Sequence, residues 1–167
     1  MKKIFIILLS TVLFFSCNNS SDNSSESGFE TFKSLHEKDN GALTFSMPAF
    51  IFKMFVKSDT KDVKDAVNKI DDIDFFIQEK ADDAFTDDLK KHILNKRYKS
   101  LMTFNEKSAD INIVTNEKDN KINEVIIVIN ENTKNSCVLL KIGGDFDSNS
   151  VKKLAEGIDI NEIAKYR

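Results

Sequence analysis

The run Glu124-Val125-Ile126-Ile127-Val128-Ile129-Asn130 sets five consecutive β-branched apolar side chains between two polar residues. Such side chains are stiff in a helix and pack well on a pleated surface. Alternate residues of a strand face opposite ways, so an unbroken apolar run of this length specifies a central strand covered on both faces. Its neighbours in the chain have the same character. Tyr98 to Asn105, Asp110 to Asn116 and Ser136 to Gly143 are β-rich, and the links between them are short and polar. Short links of this kind join antiparallel neighbours, which predicts a C-terminal meander.

Upstream the period changes. Ser27 with Glu30 three residues later reads as a capping box opening a helix that aligns Phe29, Phe32 and Leu35. Asn40-Gly41 supplies a turn, and Leu43 to Phe45 a short strand. Ser46 is expected to cap, and Pro48 to open, a helix over the apolar segment Ala49 to Val56. Val63, Val67 and Ile70 recur at helical spacing over Lys61 to Ile70. Asp74 to Glu79 reads as a strand, and Phe85, Leu89 and Ile93 mark a helix that ends near a basic cluster at Lys96. A helix from about Ser150 to Ala155, then a short one capped by Asp159, closes the chain. The expected class is α+β: one domain with an antiparallel sheet of about five to six strands packed with helices.

The first residues have a different purpose. Lys2 and Lys3 precede a run from Ile4 to Phe15 that is apolar except for Ser10 and Thr11, and Ser16-Cys17 follow. This order is that of a secretory signal. As a helix the run rises roughly 18 Å, short of the roughly 30 Å hydrocarbon core. Phe14-Phe15-Ser16-Cys17 resembles a lipobox, in which the Cys17 thiol receives a diacylglycerol and the leader is cut before it, although Phe14 stands where leucine is common. Two or three acyl chains hold a protein firmly where one holds it marginally. Asn18 to Ser27 contains no apolar side chain and is expected to be a disordered tether with a reach of roughly 17 Å. The division is therefore 1–16 signal peptide, 17–28 lipidated Cys17 and tether, and 29–167 a single globular domain. Asn18 lacks the aspartate that resembles an inner-membrane retention signal, so the expected place is the outer membrane.

Without residues 1–16 the chain carries 22 basic against 27 acidic residues, a net charge of −5, which argues against nucleic acid as a partner. Cys137 has no second cysteine to pair with once Cys17 is acylated, and it opens the apolar run Cys137-Val138-Leu139-Leu140, so it reads as a buried strand residue. His36 and His92 read as surface side chains, with no neighbour at metal-ligand spacing to single either out. No HExxH, GxSxG, P-loop or dinucleotide glycine pattern is present. Asp145, Asp147, Asn149 and Glu156 match positions 1, 3, 5 and 12 of a calcium loop. Ser150 replaces the glycine such a loop needs, and Lys152 and Lys153 fall inside it. The capping reading, in which Asp147, Ser148 or Ser150 starts the next helix, is preferred. Asp71, Asp72 and Asp74, then Asp82, Asp83, Asp87 and Asp88, read as solvated loops and first helical turns. No cofactor and no catalytic residue is assigned.

From about Phe29 to Tyr166 the chain resembles the domain of unknown function 4252 proteins, small secreted or lipid-anchored proteins of Bacteroidetes. The resemblance rests on Thr44-Phe45-Ser46 before an apolar helix, Tyr98 ahead of Leu101-Met102, Glu124-Val125-Ile126-Ile127, and Gly143-Gly144-Asp145-Phe146-Asp147 leading into Leu154. It implies no activity and transfers no site. The functional expectation is a membrane-tethered, non-enzymatic module that binds a protein or another envelope component. The alternative is a small-molecule-binding or hydrolytic lipoprotein using acidic residues.

Overall fold

A computed structural model describes residues 27–51, 61–105 and 107–157, without the side chains of 154–157. The helices are α1 (Gly28–His36), α2 (Lys61–Val67), α3 (Asp83–His92) and α4 (Ser148–Gly157). The strands are β1 (Ala42–Pro48), β2 (Ile70–Gln78), β3 (Lys99–Asn105), β4 (Ala109–Lys118), β5 (Lys121–Glu131) and β6 (Ser136–Phe146). Residues 49–51 are also helical. The strands form one six-stranded antiparallel sheet in the order β1-β2-β6-β5-β4-β3. β3 to β6 are the expected meander. Neighbours alternate in direction, so β2 and β3 run the same way and their link must recross the sheet. α3 makes that crossing.

Register explains the run from Val125 to Ile129. One row of paired residues reads Leu43, Ile77, Val138, Ile129, Ile111, Phe104 across all six strands. The next row on that face reads Phe45, Phe75, Leu140, Ile127, Ile113, Met102. This face joins one apolar cluster with Val63, Ala66 and Val67 of α2 and Val151 of α4. The other face carries Ile126, Val128, Leu139 and Cys137 and meets Phe29 and Phe32 of α1 with Phe85 and Leu89 of α3. Among the described residues, helices thus cover both sides of the sheet. β5 lies inside it with its apolar run buried on both faces, and Cys137 is buried. The β4–β5 link is a two-residue turn with Asp119 and Asn120 both at positive φ. That hairpin geometry matches strand twist, and short polar side chains tolerate it.

Several local expectations are corrected. Ser46 and Pro48 belong to β1; the Ser46 hydroxyl donates to Asp74 on the neighbouring strand and caps no helix. Ile70 begins β2, because it buries between α2 and the sheet. Asp71, Asp72 and Asp74 are strand residues, since the pairing of Ile73 and Phe75 with Ile142 and Leu140 carries the intervening acids into the sheet. Leu35 is exposed, and His36 occupies the buried stripe of α1 in its place, 7% exposed between the Phe32 and Phe85 rings. Ser27 caps α1 through the Phe29 amide, whereas Glu30 reaches Lys141. The rest of the Ala49 to Val56 segment, the Asp159-capped helix, the leader and Cys17 lie outside the described residues.

Candidate functional site

Three polar clusters sit on the α1 and α3 side of the sheet. In the first, Ser46, Asp74 and Lys141 are register neighbours on β1, β2 and β6. The Lys141 ammonium lies 3.0 Å from Asp72, 3.0 Å from Asp74 and 3.2 Å from Glu30 of α1, and 5.7 Å from the Phe29 ring centre. Burial pushes the Lys141 pKa down, but the hydrogen bonds and charges of Asp74 and Asp72 outweigh it and hold it above the ordinary lysine range. Burial likewise pushes the Asp74 carboxyl up, and hydrogen bonds from Ser46 and Lys141 bring the net below its ordinary value of 3.8. A lysine fixed in its protonated form is neither nucleophile nor base. The cluster ties α1 to β6 and β2 and, through Ser46, to β1.

In the second, Glu124 of β5 is only 5% exposed, and its two oxygens accept from the Ser27 hydroxyl at 2.6 Å and the Tyr98 hydroxyl at 3.0 Å. Ser27 in turn accepts from the Phe29 amide at 3.2 Å. Burial and the neighbouring Glu124 charge push the Tyr98 phenol up to about 12. Gly28 makes the close approach possible: a Cβ there would collide with the His92 carbonyl and stand 2.8 Å from the Tyr98 ring.

The third links His36 at the end of α1 to Asp88 within α3. His36 Nδ1 stands 2.7 Å from Asp39, His36 Nε2 3.4 Å from Asp88 Oδ2, and His92 Nε2 3.9 Å from Asp88 Oδ1. Burial of His36 overturns its reading as a surface side chain. His92 does have an acid at helical spacing, Asp88 one turn earlier.

The calcium candidates do not converge. Asp145 is exposed and paired with Lys121 at 2.6 Å. Asp147 accepts from the Ser150 amide at 2.8 Å and from Lys69 at 2.7 Å, and the Lys69 ammonium and Ser150 hold its carboxyl well below the usual range. Asn149 is exposed, and the Glu156 side chain is outside the described set. The Asp147 interactions are those of a helix cap. Of the other acids, Asp82 caps α3 through the Phe85 amide at 2.8 Å, and Asp87 faces Lys90. Among the described residues, no group of three or more His, Cys, Asp or Glu is arranged to hold a metal ion as placed, and no helix is long and apolar enough to cross a membrane. Lys141 and Glu124 escaped sequence reasoning, although each is a charge set inside or beside a buried apolar strand, which is the signal that could have marked them.

With the sheet, its helices and these clusters described, the chain can be placed among known proteins. A family model described as a domain of unknown function, DUF4252, matches residues 13–154, and the chain belongs to that family. No curated protein and no solved structure matches it.

Proposed function

We propose that this protein is a lipid-anchored envelope module whose work is to hold another envelope protein, with Cys17 carrying the lipid and no chemistry of its own. The observation that carries the binding reading is the β1 end of the apolar sheet face. Leu43 is 56% and Phe45 41% exposed, Phe45 stacks on Phe75 with ring centres 4.5 Å apart, and β1 is the outermost strand on that side. Their row partners Val138 and Leu140 are buried. Among the described residues no strand pairs with the outer edge of β1, and an apolar surface running out to such an edge offers both side-chain contact and backbone pairing to an extended partner segment. Several acids open to a hydrolytic reading are engaged: Asp72, Asp74 and Glu30 with Lys141, and Asp147 with Lys69. The leader and the Ser16-Cys17 junction support the anchor, and the outer membrane is the place proposed for it.

The test joins both parts. A photocrosslinking amino acid at position 43 in intact cells should yield a discrete adduct with one envelope protein, and Phe45→Glu should abolish it. Wild type should partition into detergent and Cys17→Ser should not. Absence of any adduct at normal abundance would sink the binding reading; recovery of Cys17→Ser in the detergent phase would sink the anchor.

A further inference from the structure

Lys90, Lys91, Lys96, Arg97 and Lys99 place five cations within ten residues and no acid among them, in a chain whose net charge without residues 1–16 is −5. The end of a helix accounts for part of this, because cations there complement the dipole. Lys90 and Lys91 are in the last turn of α3, but Lys96 and Arg97 lie beyond it and Lys99 opens β3. The fold presents all five on an ordered stretch. Ile93 and Tyr98 are buried and pin the α3 to β3 link at both ends. Between them the Asn95 side chain donates to the Lys91 carbonyl and accepts from the Arg97 amide at 2.8 Å, and the Asn95 carbonyl accepts from the Tyr98 amide at 3.2 Å. The five cations are left exposed. Lys90 faces Asp87 at 3.7 Å and Lys91 faces Asp88 at 3.9 Å, long surface pairs that hold little against a competing anion.

The chain from Cys17 enters the fold at the same place. Ser27 and Tyr98 share the Glu124 carboxylate, and a Cβ on Gly28 would meet the His92 carbonyl and the Tyr98 ring. The start of α1 therefore lies against His92 and Tyr98. Lys91 and Arg97 precede those two residues in the chain, one Cα step of about 3.8 Å away. Lys99 pairs with Thr115, one row from the Asn116 to Glu124 pair. Ten residues from Cys17 to Ser27 span at most about 33–36 Å. A lipid on Cys17 thus keeps Ser27, and the cations around it, close to the headgroups.

We propose that the end of α3 and its link to β3 form a membrane-facing surface that binds the phosphates of anionic lipid headgroups and sets the domain on the bilayer in one orientation. The orientation rests on the Cys17 anchor proposed above; the affinity for anionic lipid does not. Each Lys or Arg at an anionic membrane surface strengthens partitioning about fivefold, and salt screens the effect. A soluble acidic protein would offer carboxylates to the same cations, but nothing brings it to this end of the fold, whereas the anchor brings lipid there. The Leu43 row crosses β5 at Ile129, five residues past Glu124 and so roughly 17 Å along the strand. That separation holds the proposed partner-binding edge clear of the bilayer.

The test uses purified mature-length protein carrying Cys17→Ser, which has no acyl chain, sedimented with vesicles at low ionic strength. It should bind vesicles of phosphatidylglycerol and phosphatidylethanolamine, not those of phosphatidylcholine, and should be released by about 0.5 M salt. Lys96→Gln with Arg97→Gln should lower partitioning by about tenfold or more with unchanged circular dichroism, and Lys90→Gln with Lys91→Gln by a similar factor. Lys107→Gln with Lys134→Gln, in the β3–β4 and β5–β6 links at the other end of the sheet, should change it less than about twofold. Equal binding to both kinds of vesicle, none to the anionic kind, or the same loss in all three double variants would overturn the surface. Binding to polyglutamate but not to anionic vesicles would overturn it in favour of an acidic protein partner. None of these outcomes depends on the Cys17 anchor, which detergent partitioning tests separately.

Discussion

Glu124 shows what one buried acid can organise. Its two oxygens hold the Ser27 cap of α1 and the Tyr98 hydroxyl, so the start of the domain is fastened to a central strand 97 residues away in sequence. Tyr98→Phe removes one donor and leaves the acid short of a partner in a buried place. Denaturant unfolding should show a loss of about 1–3 kcal/mol. The phenol adds a pH signature. An unfolded tyrosine ionises near 10 and the folded one at about 12, so its folded-state pKa is raised. The associated stability is present below about pH 10 and lost as pH climbs toward 12. Wild type should therefore lose stability over that window, and Tyr98→Phe should lose less; equal slopes would count against the Glu124 to Tyr98 contact.

α1 and α3 are held by different devices. Asp82 caps α3 through the Phe85 amide, and Asp82→Ala should lower stability by about 0.5–2 kcal/mol, with Asp83→Ala, a change inside the first turn, costing less. For α1 the device is electrostatic, through Glu30, Lys141, Asp72 and Asp74. The net lowering of the Asp74 pKa means that its contribution is present above the unfolded value of about 3.9 and is lost as pH falls through the folded value. Asp74→Asn should flatten that part of the acid-unfolding curve, and an unchanged acid limb in the variant would contradict the assignment. Elements and their boundaries were legible to within a few residues wherever the period was strong, as in β4 to β6 and in α3, which ends at His92 and not near Lys96. They failed at Ser46-Met47-Pro48, where capping chemistry and strand pairing compete for the same serine. There the hydroxyl found Asp74 on β2, a partner that sequence spacing does not reveal.

For the molecule taken together, the sheet separates stability from the proposed binding. Leu139 is fully buried on the α1 face, and Leu139→Ala should cost about 2–5 kcal/mol. Leu43 lies at the exposed end of the opposite face, and Leu43→Ser should change thermal stability by no more than about 0.5 kcal/mol while reducing partner capture. If Leu43→Ser were as damaging as Leu139→Ala, the β1 face would be core and not a contact surface.

Local chemistry specified most of the secondary structure, including the meander, the central place of Val125 to Ile129, the burial of Cys137 and the Ser27 cap, because apolar periodicity and capping act between residues close in the chain. The strand order, the crossover of α3, the burial of His36 and the convergence of Lys141 on three acids came from long-range register, which no local pattern encodes. His36 and Asp88 meet for the same reason: α1 and α3 pack on one face of the sheet, with the start of α1 against the His92 carbonyl at the end of α3.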